Sequence, residues 1–595
     1  MPRLSPFSRG LLRVQRPRAS GIAGPQPFRS ALVQRQPTLP RRPLANLLSA
    51  STAELAAPSA AQARLSTPGS ATAPRPTNVR LYLGLAIAAL VIAALSLLIP
   101  STPSYDPWAW LVWGREILHI NLQTTGGPSW KPLPVLFTTI FSIFGKAEPD
   151  LWLVVARAGA LMAVAMVFKL SYRLTRQIGS RFTEDPGDLD RFSVRGPALL
   201  AGLIAAIGLT FSGGFISDNA LGYSEGLMAA FVLIALERHM EGKPRQAFAL
   251  GFFAALDRPE IWLFWGPYGL WLFWKDPGAR KLVIGLFALI PVLWFLPEYW
   301  GSGHFLRGVS RAQHPRSNSP AFAKCPFCTE LVDHAWPTIL LRIKVVAALL
   351  VGVAGADLWL RWRSRPAGAV ASARDRAEGV ACAAGVLGLA WFVVIAVMTQ
   401  VGFSGNNRYL VLGSALVEIA GAVGWGWAAQ ELGNGLRRWS PGGGRSPGRA
   451  RSQLSSWIGV GVLSAAFVLL PSFVGSNLID MQRTHRALIY QAHLRQDVTR
   501  IVAKAGGSGK LLACGSVMTE GFQVPMVAWT LGVHTLDVAA SPANGAPVPP
   551  PPNVILQTRA QRNATLLPIV HSWKTTAYTF AEHQRTFRLF THCRG

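Results

Sequence analysis

The chain has 595 residues, of which 50% are hydrophobic and only 15% charged, and its mean hydropathy is +0.29. Soluble domains carry roughly a quarter charged residues, so the composition argues against a soluble multidomain enzyme, and its long apolar runs argue against a disordered or fibrous chain. The formal charge of +29 comes mostly from Arg placed between apolar segments of spanning length, which suggests a multi-pass membrane protein under the positive-inside rule rather than a nucleic-acid binder.

Residues 1–80 hold twelve Arg, no Lys and one acidic residue, Glu54. With much Pro, Ser, Ala and Gln, this stretch cannot bury a core and is expected to be disordered. It reads as a basic cytoplasmic tail near anionic lipid in preference to an organellar leader, and it has no apolar segment that would make a secretory signal.

The first expected span is Leu81–Ile99, closed by Pro100. A Trp-rich polar stretch follows, and then the apolar run Pro132–Gly145, too short to cross a bilayer. The loop after the next apolar segment, Leu151–Phe168, carries Lys169, Arg173, Arg176, Arg181, Arg191 and Arg195. That loop falls on the cytoplasmic side only if Pro132–Gly145 stays in the interface, so an interfacial or re-entrant segment is predicted. Further spans are expected near 197–216, 220–237, 281–299, 338–359, 379–399, 410–428 and 457–474. Between Ala247 and Trp274 the basic flanks require an even number of crossings, and two short helices meeting at Asp257-Arg258-Pro259-Glu260 satisfy this. The total is about eleven spans, with the N-terminus inside and the C-terminus outside. The loop 300–337 disagrees in charge, since it is placed outside yet contains Arg307, Arg311, Arg316 and Lys324.

From about Ser476 the composition becomes that of a small α/β domain outside the membrane. Asp480–Lys504 reads as an amphipathic helix, Lys510–Cys514 as a short strand, and Ala540–Pro552 as a Pro-rich loop. The domain division is therefore 1–80, 81–475 and 476–595. Cys325 and Cys328 in the outer loop favour a disulfide over a zinc site with His304, His314 or His334. Cys514 and Cys593 are a second candidate pair, and Cys382 lies within a span.

Under this topology Asp106, Glu116, Lys131, Asp218, Glu225, Asp257, Arg258, Glu260 and Arg408 collect on one side. Ionisable groups at membrane depth mark a site by default. Cations can hold a lipid-linked phosphate there while a carboxylate orients or deprotonates a hydroxyl. Structural alternatives weigh against each: Asp106 as a helix N-cap before Pro107, Lys131 as a snorkelling side chain, Arg258 in a local ion pair with Asp257 or Glu260, and Asp218 as a turn residue after Gly213-Gly214. Arg157 reads as a helix-end anchor, and the Trp clusters at 108–113, 262–274 and 294–300 read as interfacial belts.

The order Ser104-Tyr105-Asp106-Pro107, Ser129-Trp130-Lys131-Pro132-Leu133-Pro134, Phe144-Gly145 and Ala156-Arg157 resembles the first outer loop of integral-membrane glycosyltransferases of the GT-C fold. The nearest group is that of protein-mannosyltransferases and aminoarabinose transferases. Leu256-Asp257-Arg258-Pro259-Glu260 is similar to a later Arg-Pro-Glu turn, and Asn406-Asn407-Arg408-Tyr409 to an Arg-Tyr motif. The resemblance spans about residues 80–475, with two departures: Pro107 where a second acidic residue is common, and Lys-Pro-Leu-Pro in place of Lys-Pro-Pro.

It implies an all-α polytopic GT-C-like fold in the plasma membrane. It also implies transfer of a sugar from a polyprenyl-phosphate donor to an envelope glycan, lipid or protein at the outer face. Asp106 takes the catalytic position, and Lys131, Arg258 and Arg408 take positions facing the donor phosphate. Glu116, Asp218, Glu260 and Tyr409 are supporting or acceptor-side candidates. A divalent cation is compatible with this chemistry, although no acidic pair is close enough in sequence to argue for one. The competing classes are a lipid or solute transporter, which predicts inverted repeats and charges at the midplane, and a non-catalytic membrane scaffold.

Overall fold

A computed structural model describes residues 79–179, 192–315, 319–364, 371–439, 449–469, 473–542, 552–570 and 578–593. They belong to one compact unit, Asn78–Gly595; the basic segment before it, part of the loop after Leu151–Phe168, and most of the Pro-rich loop lie outside the described residues.

The helices in chain order are α1 Val79–Leu95, α2 Tyr105–Leu118, α3 Pro132–Phe141, α4 Glu148–Gly179, α5 Phe192–Thr210, α6 Phe215–Ala220, α7 Glu225–Met240, α8 Pro244–Ala255, α9 Trp262–Lys275 and α10 Arg280–Ser302. Then come α11 Arg307–Ala312, α12 Pro326–Thr329, α13 Trp336–Thr338, α14 Leu341–Arg363, α15 Ala373–Gln400, α16 Val411–Trp439, α17 Arg449–Leu469, α18 Phe473–Lys504, α19 Ser508–Cys514 and α20 Val524–Leu531. Among the described residues, α1, α4, α5, α7–α10 and α14–α17 coincide with the eleven spans expected from hydropathy. Six segments are long and apolar enough to cross a bilayer by themselves. The chain is a multi-pass helical membrane protein with a small α/β domain at its C-terminal end.

α4, α5, α7 and α16 form the centre of the bundle, where Met166, Leu170, Leu209, Leu233 and Ile419 are buried. Leu83 on α1, Ile284 on α10 and Leu349 on α14 face outward, as a bilayer solvent requires. The predicted pair of short helices is present as α8 and α9, joined at 256–261. α3 is ten residues long, about 15 Å at helical rise and half a hydrocarbon core. Gly145 then adopts φ +55, a left-handed conformation that separates this segment from α4. α3 packs along α2, where Thr138 Oγ1 donates to the Trp110 carbonyl at 2.7 Å.

The C-terminal sheet has strands β1 Val517–Thr519, β2 Val538–Ala540, β3 Val554–Gln557, β4 Thr579–His583 and β5 Arg588–Thr591, ordered β2-β1-β3-β5-β4. β1 pairs parallel with β2 and β3, while β5 runs antiparallel to β3 and β4. The amphipathic helix is α18, but the strand expected at Lys510–Cys514 is the helix α19. Of that segment only Leu511 is fully buried, a one-sided pattern that suits a helix. The true strand begins after Gly515 and is buried throughout, as a parallel strand covered on both faces must be.

Disulfides join Cys325 to Cys328 and Cys514 to Cys593. Two of the four cations that break the charge pattern of the 300–337 loop also find a physical reason; Arg316 lies outside the described residues. Arg307 donates to the carbonyls of Thr125, Gly127 and Pro128 and faces Glu298, and Arg311 donates to Gly127 and His314. These guanidiniums brace the first loop rather than lie free against the membrane.

Candidate functional site

Two motifs share one local device. A residue before proline is pushed toward extended backbone, and proline then opens a helix. Lys131 (φ −138, ψ 110) precedes α3 in this way, and Arg258 (φ −144, ψ 127) precedes the turn that starts α9. Each cation therefore stands at a helix mouth instead of along a helix side. Arg408 sits in the turn before α16.

The three cations meet at one carboxylate. Glu225 Oε1, at the start of α7, is 3.2 Å from Lys131 Nζ, 3.0 Å from Arg258 Nη1 and 3.3 Å from Arg408 Nε. Arg408 Nη2 also reaches Asp106 Oδ2 at 2.6 Å, and Arg258 Nη2 reaches Glu260 Oε1 at 2.8 Å. Lys131 lies 4.0 Å from the buried Asp257. Tyr409 stacks beneath Arg258 at 3.6 Å and Tyr223 beneath Arg408 at 4.0 Å, so aromatic faces add cation–π attraction to the ion pairs.

These groups border a cavity of about 670 Å³, walled on the apolar side by Trp262, Trp294 and Phe295. Trp262 and Trp294 meet edge to face at 5.5 Å and both donate to the Ala255 carbonyl, at 3.0 and 3.2 Å. Removal from water pushes Asp218 up to about 7, against the opposing Arg408 charge. Burial likewise raises Asp257, with Lys131 opposing. For Arg258 burial works against the charge, but Glu260, Tyr409 and Glu225 outweigh it, so its pKa is raised. Among the described residues no group of His, Cys, Asp and Glu has metal-ligand geometry.

Asp106, Lys131, Asp218, Arg258, Glu260, Arg408 and Tyr409 are all at this cavity. Glu116 is not. Its carboxylate accepts from the Gln123 backbone N–H at 2.9 Å and lies 2.7 Å from His534 Nδ1; it fastens the C-terminal domain to α2. Burial raises its pKa, opposed by those contacts. The cap alternative for Asp106 also falls away: Ser104 is the cap residue, Asp106 lies in the first turn, and its carboxylate is turned to Arg408.

Arg157 binds Ser96, Ser101 and the Ala220 carbonyl, the anchor expected of it. The belt reading fails for Trp108, Trp110 and Trp113, which are buried. They pack on Trp529, Trp152 and Trp130 respectively, joining α2 to the C-terminal domain, α4 and the first loop. Trp271, Trp274 and Trp300 remain exposed. Glu225 belongs to the ionisable set that the sequence collects on one side, but nothing in its spacing marks it as the shared partner. His334, which the sequence offers only as a neighbour of Cys325 and Cys328, lines the cavity.

The fold and site together define a class: a polytopic helical membrane protein with a charge-lined cavity at one end of its bundle and an α/β domain docked there. No family description and no curated protein matches the chain. Among solved structures it is similar to ArnT from Cupriavidus metallidurans bound to undecaprenyl phosphate, at 12% identity and TM-score 0.44, covering 86% of this chain and 98% of that one. The apo state of the same protein aligns at 13% identity and TM-score 0.42, with the same coverage.

Proposed function

We propose that the chain is a membrane glycosyltransferase that takes a sugar from a polyprenyl-phosphate donor and passes it to an envelope glycan, lipid or protein at the outer face of the membrane. The observation that carries this reading is the convergence of Lys131, Arg258 and Arg408, from three separate segments, on one cavity that also holds Asp106. Phe295, Phe305 and Leu306 line both this cavity and an apolar groove along α10, which suits a ligand with an anionic head and a hydrocarbon tail. Lys131, Arg258 and Arg408 stand at helix mouths and not along helix sides, which favours an enzyme over a transporter.

In the reaction the acceptor oxygen forms a bond to the anomeric carbon as the bond from that carbon to the phosphate oxygen breaks. The acceptor proton passes to Asp106, and the electron pair of the broken bond leaves on the phosphate. Lys131, Arg258 and Arg408, already placed at the cavity, oppose the charge that develops there. Asp106 must exchange its Arg408 contact for the acceptor hydroxyl as substrate enters.

The test is an envelope glycan profile of a deletion strain together with its pool of lipid-linked sugars. Loss of one glycan modification with build-up of one polyprenyl-phosphate sugar is expected. An unchanged profile and pool would reject the reading.

A further inference from the structure

The three central cations are each already matched by carboxylates, so an incoming phosphate meets a site whose positive charge is largely compensated. One other ionisable group on the cavity wall is held differently. His334 lies in a π-helical segment, Glu330–Ala335, a rare conformation enriched at functional sites. The segment follows the Cys325–Cys328 disulfide and α12 directly.

His334 Nδ1 is 3.3 Å from Glu330 Oε2, and the Glu330 side chain is 0% exposed. Gly405 makes this possible, because a Cβ there would strike Glu330 Oε2. The imidazole keeps 24% exposure although Nδ1 itself is buried, and the residue lines the cavity. Its accessible edge is therefore the Nε2 side. A buried carboxylate this close to one ring nitrogen favours the imidazolium, which leaves Nε2–H on the cavity side.

We infer that the Glu330–His334 pair is a further phosphate-binding element of the cavity, in which Nε2–H of the imidazolium donates to a phosphate oxygen of the lipid donor. This rests on the proposed function. As the sugar–phosphate bond breaks, the phosphate gains one negative charge and the Nε2–H bond to it strengthens; no net proton transfer by His334 is needed.

The contact with Glu330 raises the His334 pKa over the opposing effect of burial, and the Glu330 and Asp333 charges add to the rise. Of the packed neighbours, the turn Asn407–Leu410 brings Arg408 and Tyr409; α12 and α13 bring no ionisable group, and α15 carries its own at 374–378, about 33 Å along its axis from Gln400.

The experiment uses the full chain in phosphatidylcholine nanodiscs, with undecaprenyl phosphate as probe and undecaprenol as control. At pH 6.5 His334→Gln should weaken undecaprenyl phosphate binding about tenfold, the weight of one charge-assisted hydrogen bond, and leave undecaprenol binding unchanged. The charged form is present below the raised pKa, so the wild-type to His334→Gln ratio should fall toward one at pH 9. Glu330→Gln should reproduce much of the loss at pH 6.5. Equal affinity of wild type and His334→Gln at pH 6.5, or a ratio unchanged at pH 9, overturns the inference alone. A wild type that does not prefer undecaprenyl phosphate to undecaprenol overturns the proposed function as well.

Discussion

Glu225→Gln tests the centre of the site most directly. One oxygen faces three cations at 3.0–3.3 Å. At an effective dielectric constant near 20, each contact is worth about 5 kcal/mol, or about 15 kcal/mol gross. Desolvation of the four ions and repulsion among the cations offset most of that, and breaking one partner of a buried pair usually costs about 3–5 kcal/mol. Arg258 would keep Glu260 and Arg408 would keep Asp106, while Lys131 would retain the Ser224 hydroxyl at 3.2 Å and Asp257 at 4.0 Å.

The loss should therefore sit at the low end, about 3 kcal/mol. Thermal unfolding followed by the buried Trp residues in detergent would measure it. The ligand effect should have the opposite sign. Removing the anion that competes for Lys131, Arg258 and Arg408 should tighten undecaprenyl phosphate binding severalfold, with undecaprenol unaffected. Wild-type stability in a folded Glu225→Gln protein would refute the weight given to this ion cluster, and weaker phosphate-lipid binding would refute Glu225 as the anion that competes for these cations.

Asp106→Asn should lower transfer by about 10²–10⁴-fold, the usual weight of a general base, with expression nearly intact, because Arg408 retains Glu225 at 3.3 Å; wild-type turnover would remove Asp106 from the chemistry. Asp218, raised to about 7 by burial, holds its proton in the folded state between its ordinary value and about pH 7. Stability from this group must then fall as pH rises through that window, and melting temperatures from pH 4 to 8 should decline more steeply in wild type than in Asp218→Asn. Replacing Cys514 and Cys593 with Ser opens a loop of 79 residues, about 4.5 kcal/mol in the chain-entropy account, against about 2 kcal/mol for the short Cys325–Cys328 loop. Limited proteolysis should accordingly expose the C-terminal domain in the first double variant and hardly in the second.

Most of the bundle was legible because it depends on quantities that are local in sequence. Apolar run length sets which segments can span, and Arg placement sets the parity of crossings. That pair of constraints kept Pro132–Gly145 out of the count of spans and required α8 and α9 as a short pair. The Lys131-Pro132 and Arg258-Pro259 pairs were also readable, since a proline dictates both its own φ and the extended backbone before it.

What the sequence could not determine is which distant groups share a partner. Glu225 stands 94 positions from Lys131 and 33 from Arg258, and only the packing of α7 against the two helix mouths brings it between them. Glu116 carries the same local signals as Asp106, but α2 turns it to His534 while Asp106, ten residues earlier, meets Arg408. Lys510–Cys514 is short and apolar enough to suit strand or helix, and its one-sided burial decided for the helix. Local patterning determines elements and their order; burial and the pairing of charges across the bundle are tertiary, because each buried ion is tolerated only where the fold delivers its counter-ion.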